Sequence, residues 1–202
     1  MIYLLRMLII ALSVFCYFSS IDAQEELSNP ERNAVGTPIN QDYFVADQFP
    51  GTKSLLILVE RFHVNEPDSK LHANIKDGHY EYAWGDIKYT LDKFPNHPKA
   101  LLLAGLVARL QKAPLIAIPH FEKALKLYPQ HAMTHAQYGS YLVEIGRINE
   151  GISRLKKATE MEPRLAQAHA WLAKAYTKSG NANLARQAAE QARQLGYKGK
   201  IQ

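Results

Sequence analysis

The feature that most constrains this chain is a repeat. Pro95, Pro129 and Pro163 are spaced by 34 residues. Gly105, Gly139 and Ala173 keep the same interval, as do Ala117, Gly151 and Ala185, then Phe121, Leu155 and Ala189, then Ala124, Ala158 and Ala192. A period of this length means that one supersecondary unit has been copied, each copy burying its apolar face only against its neighbours. Proline forbids a further helical turn, so each proline of the series marks a helix end. A small residue at the eighth position of each unit lets a first helix approach a second. The second helix answers with a small-x3-apolar-x2-small face, as in Ala117, Phe121 and Ala124. Pro119 lies inside that helix in the first unit and should delay its start.

These columns resemble the tetratricopeptide repeat, whose signature runs W-x2-L-G-x2-Y, then A-x3-F, then P. Units over 98–131, 132–165 and 166–199 fit it. The resemblance implies an all-α fold, a right-handed superhelix of three repeats plus a degenerate N-terminal helical segment over 53–97. The fourth position, often Trp in the family, is Leu101, His135 and His169 here. The stretch from Asp86 to Pro98 is also similar to a group of exported bacterial repeat proteins, a likeness that implies no activity. In the family, positions two, five, nine, twelve and thirteen of the first helices line a concave, peptide-binding groove. That register implies Leu102, Leu106 and Arg109 in the first unit, Met133 in the second, and Gln167, Lys174 and Lys178 in the third. Ala136, Val143 and Ala170 fall at groove positions too. Chaperone-binding members hold a C-terminal carboxylate with a Lys/Asn/Arg clamp. Leu102 and Leu106 occupy two of those positions here, which excludes that specificity.

Ahead of the repeats the chain changes character. Arg6, the apolar run Met7–Phe18 and the small residues up to Ala23 describe a secretory signal, expected to be cleaved after Ala23. The run is shorter than the ~20 apolar residues that span a bilayer. Cys16 is the sole cysteine and lies in that run, so the mature chain is expected to form no disulfide and no thiolate site. Residues 24–52 are polar, rich in Gly and Pro, and read as a mobile leader. Ser54–Val64 has helical spacing, with a buried strand through Leu55–Val59 as the competing reading, and Asn65–Gly78 reads as a loop. Tyr80–Phe94 resumes a helical face that ends at Pro95 in register, the second helix of a degenerate unit whose first helix is expected from Ser54–Val64. Charge is divided along the chain: 7 Lys and Arg against 12 Asp and Glu over 24–97, but 16 against 6 over 98–202. Such asymmetry points either to an anionic partner for the basic half or to attraction between the halves. In the second case the acidic segment could lie across the groove.

Motifs of catalysis are absent from the sequence: there is no GxSxG, no GxxxxGK[ST], no HExxH and no GxGxxG. No cofactor is expected. Lys and Arg are spread through the units without a clustered stripe, which argues against nucleic acid. The expected protein is thus a non-enzymatic exported scaffold, periplasmic in a Gram-negative host, that binds a protein or peptide of partly acidic character. The competing reading is a metal- or substrate-binding envelope protein using His63, His72, His79 or His97.

Overall fold

In a computed structural model of the chain, residues 38–201 are described. The expected signal segment and the leader as far as residue 37 lie outside them. Two compact units divide after Ile39, and the described helices all belong to the one beginning at Asn40. Helices α1 (Pro50–Val59), α2 (Leu71–Lys76), α3 (Tyr80–Lys93), α4 (Pro98–Leu110), α5 (Ile118–Leu127), α6 (Ala132–Glu144), α7 (Ile148–Met161), α8 (Ala166–Lys178) and α9 (Ala182–Gln194) succeed one another. The all-α expectation holds. Helix α6 packs on α7 and α8 on α9 as hairpins, α7 packs against α8, and α4, α6 and α8 stand side by side.

Each hairpin turns on one residue with positive φ, and these residues recur every 34: Gly78 (φ 80°), Lys112 (57°), Gly146 (89°) and Gly180 (78°). At each turn the next N–H bonds back five residues, from His79 to Asn74, Ala113 to Ala108, Arg147 to Leu142 and Asn181 to Tyr176, at 2.8–2.9 Å. This is a Schellman closure, which satisfies carbonyls that the helix end would leave unpaired. Only the first full unit uses a residue with a Cβ there, Lys112. The series shows that the first helix of the degenerate unit is Leu71–Lys76 and not the expected Ser54–Val64. The Asn65–Gly78 segment, expected as a loop, contains α2, which closes on Gly78 just as the full units close. Pro67 restricts that helix to its last turns.

Pro119 acts as anticipated. By register α5 should begin near residue 114; instead Pro114–Ala117 forms a 3-10 turn and the α-helix starts at Ile118. The eighth-position glycines do two different things. A Cβ at Gly139 would sit 2.8 Å from Gly151 O and 2.8 Å from Leu155 Cγ, so here the two helices of one hairpin touch. At Gly105 the obstacle is the ring of Tyr141, 2.7 Å away and in the next unit. Phe121 stacks on Tyr138 and Tyr141 with ring centres 5.2 and 5.3 Å apart, joining the first two units.

The leader expected over 24–52 does not extend to residue 52 as unstructured chain. Tyr43–Gln48 forms a 3-10 helix with Asp42 as its N-cap, and α1 begins at Pro50. Helix α1 passes into a π-helical turn, Glu60–Val64. Ala46 and Val59 close over Phe94, which is fully buried, with Tyr43, Leu55 and Leu56 around them. Burial of an aromatic ring at the end of α3 supplies the reason a polar stretch folds here: on the order of 1.5–3 kcal/mol follows from covering such a side chain.

Candidate interaction surface

The first helices α4, α6 and α8 carry the residues that register assigns to the groove. Leu102 is 47 % exposed, and Leu106 and Met133 are half-buried. Gln167 and Lys174 are half-buried and Lys178 is exposed. Neither lysine has an ion-pair partner among the described residues. Arg109 does: its guanidinium lies 3.1 Å from Glu144 on α6, so part of its charge is already answered across the first two units. Ala136, Ala170 and Val143 are buried between helices and present little or nothing to a ligand. Of the residues that register assigns to the groove, Leu102, Arg109 and Lys178 are exposed and Leu106, Met133, Gln167 and Lys174 are half-buried.

Histidines at the fourth position perform a task that periodicity did not reveal. His135 Nε2 donates to Pro129 O at 3.0 Å and His169 Nε2 to Pro163 O at 2.9 Å. Each ties a first helix to the corner that precedes it, six residues back, where the family more often packs an indole. Leu101 cannot make the bond. Burial holds the His135 imidazole below its ordinary pKa, partly opposed by the bond to Pro129.

The corners before α4 and α6 are where the N-terminal segment lands. Asp42 accepts from Phe44 N–H at 3.0 Å and from Asn96 Nδ2 at 2.7 Å, and its other oxygen lies 2.8 Å from His131 Nε2. Asn96 Oδ1 accepts in return from Tyr43 N–H at 2.9 Å. Tyr128 donates its hydroxyl to Asn40 O, and Phe44 stacks on His131 with ring centres 4.4 Å apart. His97 is 1 % exposed and caps α4 by accepting from Ala100 N–H at 3.2 Å, while its Nε2 faces Glu60 at 3.4 Å. That contact, first among several, holds the Glu60 carboxyl below the usual carboxylate range. Lys99, at a groove position, is engaged by Val64 O and Asn65 Oδ1 at 3.2 and 2.9 Å. These contacts of the acidic segment fall on the corners and on the first turn of α4, away from Lys174 and Lys178.

A hollow of about 230 Å³ opens beside this junction, lined by Phe44, Gln130, His131, Met133, Met161 and Glu162. A broader one of about 680 Å³ lies at the other end of α4, between Tyr80, Tyr82, Leu110 and Lys112. The histidines of the competing metal reading are dispersed. His63 is 2.8 Å from Asp86, His72 is 4.0 Å from Glu66, His79 meets the edge of Tyr82, and His97 is enclosed as described. Among the described residues no three His, Cys, Asp or Glu side chains converge as metal ligands. Nor is any described helix long and apolar enough to cross a membrane.

Stacked helical hairpins with a 34-residue repeat and a recurring left-handed turn define a helical-repeat solenoid. The tetratricopeptide repeat profile matches residues 73–132 and 139–197, more than half of the chain, and the chain belongs to that family. No curated protein sequence matches it. Among solved structures it is similar to PilF of Pseudomonas aeruginosa, at 21 % identity and TM-score 0.50, over 62 % of this chain and 58 % of that one. YrrB, described as a TPR protein with an unusual peptide-binding site, is 20 % identical with TM-score 0.48, over 62 % of this chain and 65 % of its own. MamA from Desulfovibrio magneticus RS-1 is 19 % identical with TM-score 0.49, over 71 % and 84 %. At such identities the likeness concerns the fold alone, and the chain spans less than two thirds of PilF and of YrrB.

Proposed function

We propose that this is an exported scaffold that holds a partly acidic protein segment against α4, α6 and α8, serving the assembly or maturation of an envelope complex. Export rests on the run Arg6–Ala23, which has the order of charge, apolar stretch and small residues that a secretory signal needs. The observation that carries the binding reading is the pair Lys174 and Lys178. Two cations one helical turn apart have no ion-pair partner among the described residues, and family register assigns them to the same face as exposed Leu102. Covering an exposed apolar side chain such as Leu102 stabilises a complex by about 1.5–3 kcal/mol at most, while exposed charges chiefly raise the rate of encounter with an anionic partner. Arg109 contributes less than register suggested, because Glu144 already engages it.

The test uses the tagged protein as bait in extracts of its own cell envelope, beside a Lys174→Glu/Lys178→Glu variant. The wild type retains a partner at low salt that the variant loses, and the difference narrows at high salt, where exposed charges are screened. Equal retention at low salt refutes the groove. Mass spectrometry of the native protein should find Gln24 as the first residue; a Met1 start refutes processing.

A further inference from the structure

We infer that the hollow between Phe44, Met133 and Met161 is an anchor pocket for one Leu-, Met- or Phe-sized side chain of the partner segment. The inference rests on the groove reading for its context but not for its geometry. About 230 Å³ is smaller than the ~300–1,000 Å³ of small-molecule sites, which fits one side chain and leaves no room for a cofactor. Its apolar walls come from three places in the chain: Phe44 from the N-terminal 3-10 helix, Met133 from α6 and Met161 from the end of α7. Methionine is unbranched and polarisable, so two of them can reshape around differing guests.

Asp42 is the positioning residue. One of its oxygens caps the 3-10 helix at Phe44 N–H and the other grips His131, on whose ring Phe44 is stacked. Both groups of this contact are mostly buried, with the His131 and Asp42 side chains 18 % and 12 % exposed. A pocket wall is thereby fixed by a carboxylate 89 residues distant in sequence from the histidine it holds.

Charge sets the direction of the guest. His131 has its Nε2 taken by Asp42, and among the lining residues the carboxylate is Glu162, an exposed group that repels an acidic neighbour. The acidic part of the segment then points along α8 toward Lys174 and Lys178. Met133 and Gln167 hold the same position in successive units. Lys174 and Lys178 lie about 10 and 16 Å further along the helix at ~1.5 Å per residue, and neighbouring axes are ~8–10 Å apart. An extended chain advances ~3.3 Å per residue. The partner therefore carries its acidic residues roughly four to six positions from the anchor.

The chain has four methionines, and apart from Met1 and Met7 they are Met133 and Met161, both in the pocket. Protein labelled with carbon-13 at the methionine methyl groups is titrated with the peptide acetyl-Leu-Gly-Gly-Gly-Asp-Asp-amide and with its Ser-for-Leu counterpart. The leucine peptide shifts the Met133 and Met161 signals saturably, at least tenfold more tightly than the serine peptide. Phe44→Ala abolishes that preference. Met161→Lys, on a half-exposed side chain that the fold does not need, abolishes it too, read at the Met133 signal. Equal responses to the two peptides, or no movement of either signal at millimolar peptide, overturns the pocket. If the leucine preference survives and Lys174→Glu/Lys178→Glu leaves the affinity unchanged, the pocket stands and the groove reading falls.

Discussion

Replacing Gly151 by Ala tests the tightest glycine contact among the described residues. A Cβ there would lie 2.4 Å from Val143 Cγ2, 2.6 Å from Gly139 O and 3.0 Å from Val143 N. The valine methyl can turn aside, but the two backbone atoms can withdraw only if α7 moves off α6. Overpacking of this kind costs about 1–3 kcal/mol, and the better helix propensity of Ala returns about 1. Gly85, midway along α3 with nothing within 4 Å of its would-be Cβ, receives the same propensity gain without the clash. Gly85→Ala should therefore stabilise by roughly 0.5–1 kcal/mol and Gly151→Ala should destabilise by up to about 2. For a chain of this size about 2–4 °C of melting temperature accompanies each kcal/mol, so thermal denaturation followed by circular dichroism should separate the two variants by roughly 1–12 °C. Coincident melting curves would refute the claim that α6 and α7 meet backbone to backbone, and with it the reason for the small residues at both positions.

Lys112→Gly should raise stability by about 1 kcal/mol in urea unfolding, because a residue with a Cβ now occupies a left-handed turn that glycine fills in the other units. His135→Ala should cost about 0.5–1.5 kcal/mol for its bond to the Pro129 carbonyl plus a packing loss, and more than His169→Ala, whose bond is exposed. Burial lowers the pKa of His120 and of His135, so the folded chain resists protons that the unfolded chain accepts. Stability should be full above about pH 6.5 and fall as pH drops through the lowered values, and His135→Gln should flatten that slope in melts between pH 7.5 and 5. Removing residues 1–65 should uncover Phe94 and lower the melting temperature; a truncated chain that melts like the full one would show that the N-terminal helices are ornamental.

The repeats are legible because their signal is redundant. Five columns at one interval specify helix ends, close approaches and stacking order together, and no single residue has to carry the inference. The same interval also runs through Gly78 and Lys112, but a lysine among glycines hides the column until the φ angles expose it. Less can be read where a residue's partner lies far away. Asp42 looks like one more charge in a polar stretch; its meaning comes from Asn96 and His131, and no local pattern announces either. The histidines at 135 and 169 sit in a packing column, and a bond to a proline carbonyl six residues back leaves no mark in hydrophobic periodicity. Groove positions taken from the family fail where the side chain is small: Ala136 and Ala170 are covered by their neighbours, whereas the longer Leu102 and Lys178 reach out.

Asp42 makes the two ends of this solenoid unequal. In a linear array each unit leans only on those beside it, and the outermost unit normally loosens first. Here the leading end is stapled, since a contact spanning 89 residues draws Asp42 onto the second full unit's corner. Among the described residues nothing comparable holds α9, whose inner alanines Ala185, Ala188 and Ala189 keep 7–9 % exposure where those of earlier units are sealed. Opening should consequently run from the C-terminal hairpin backward, and hydrogen exchange should reach α9 and α8 well before α4. The cations on α8 then sit on the part of the molecule most ready to be remodelled by whatever it binds.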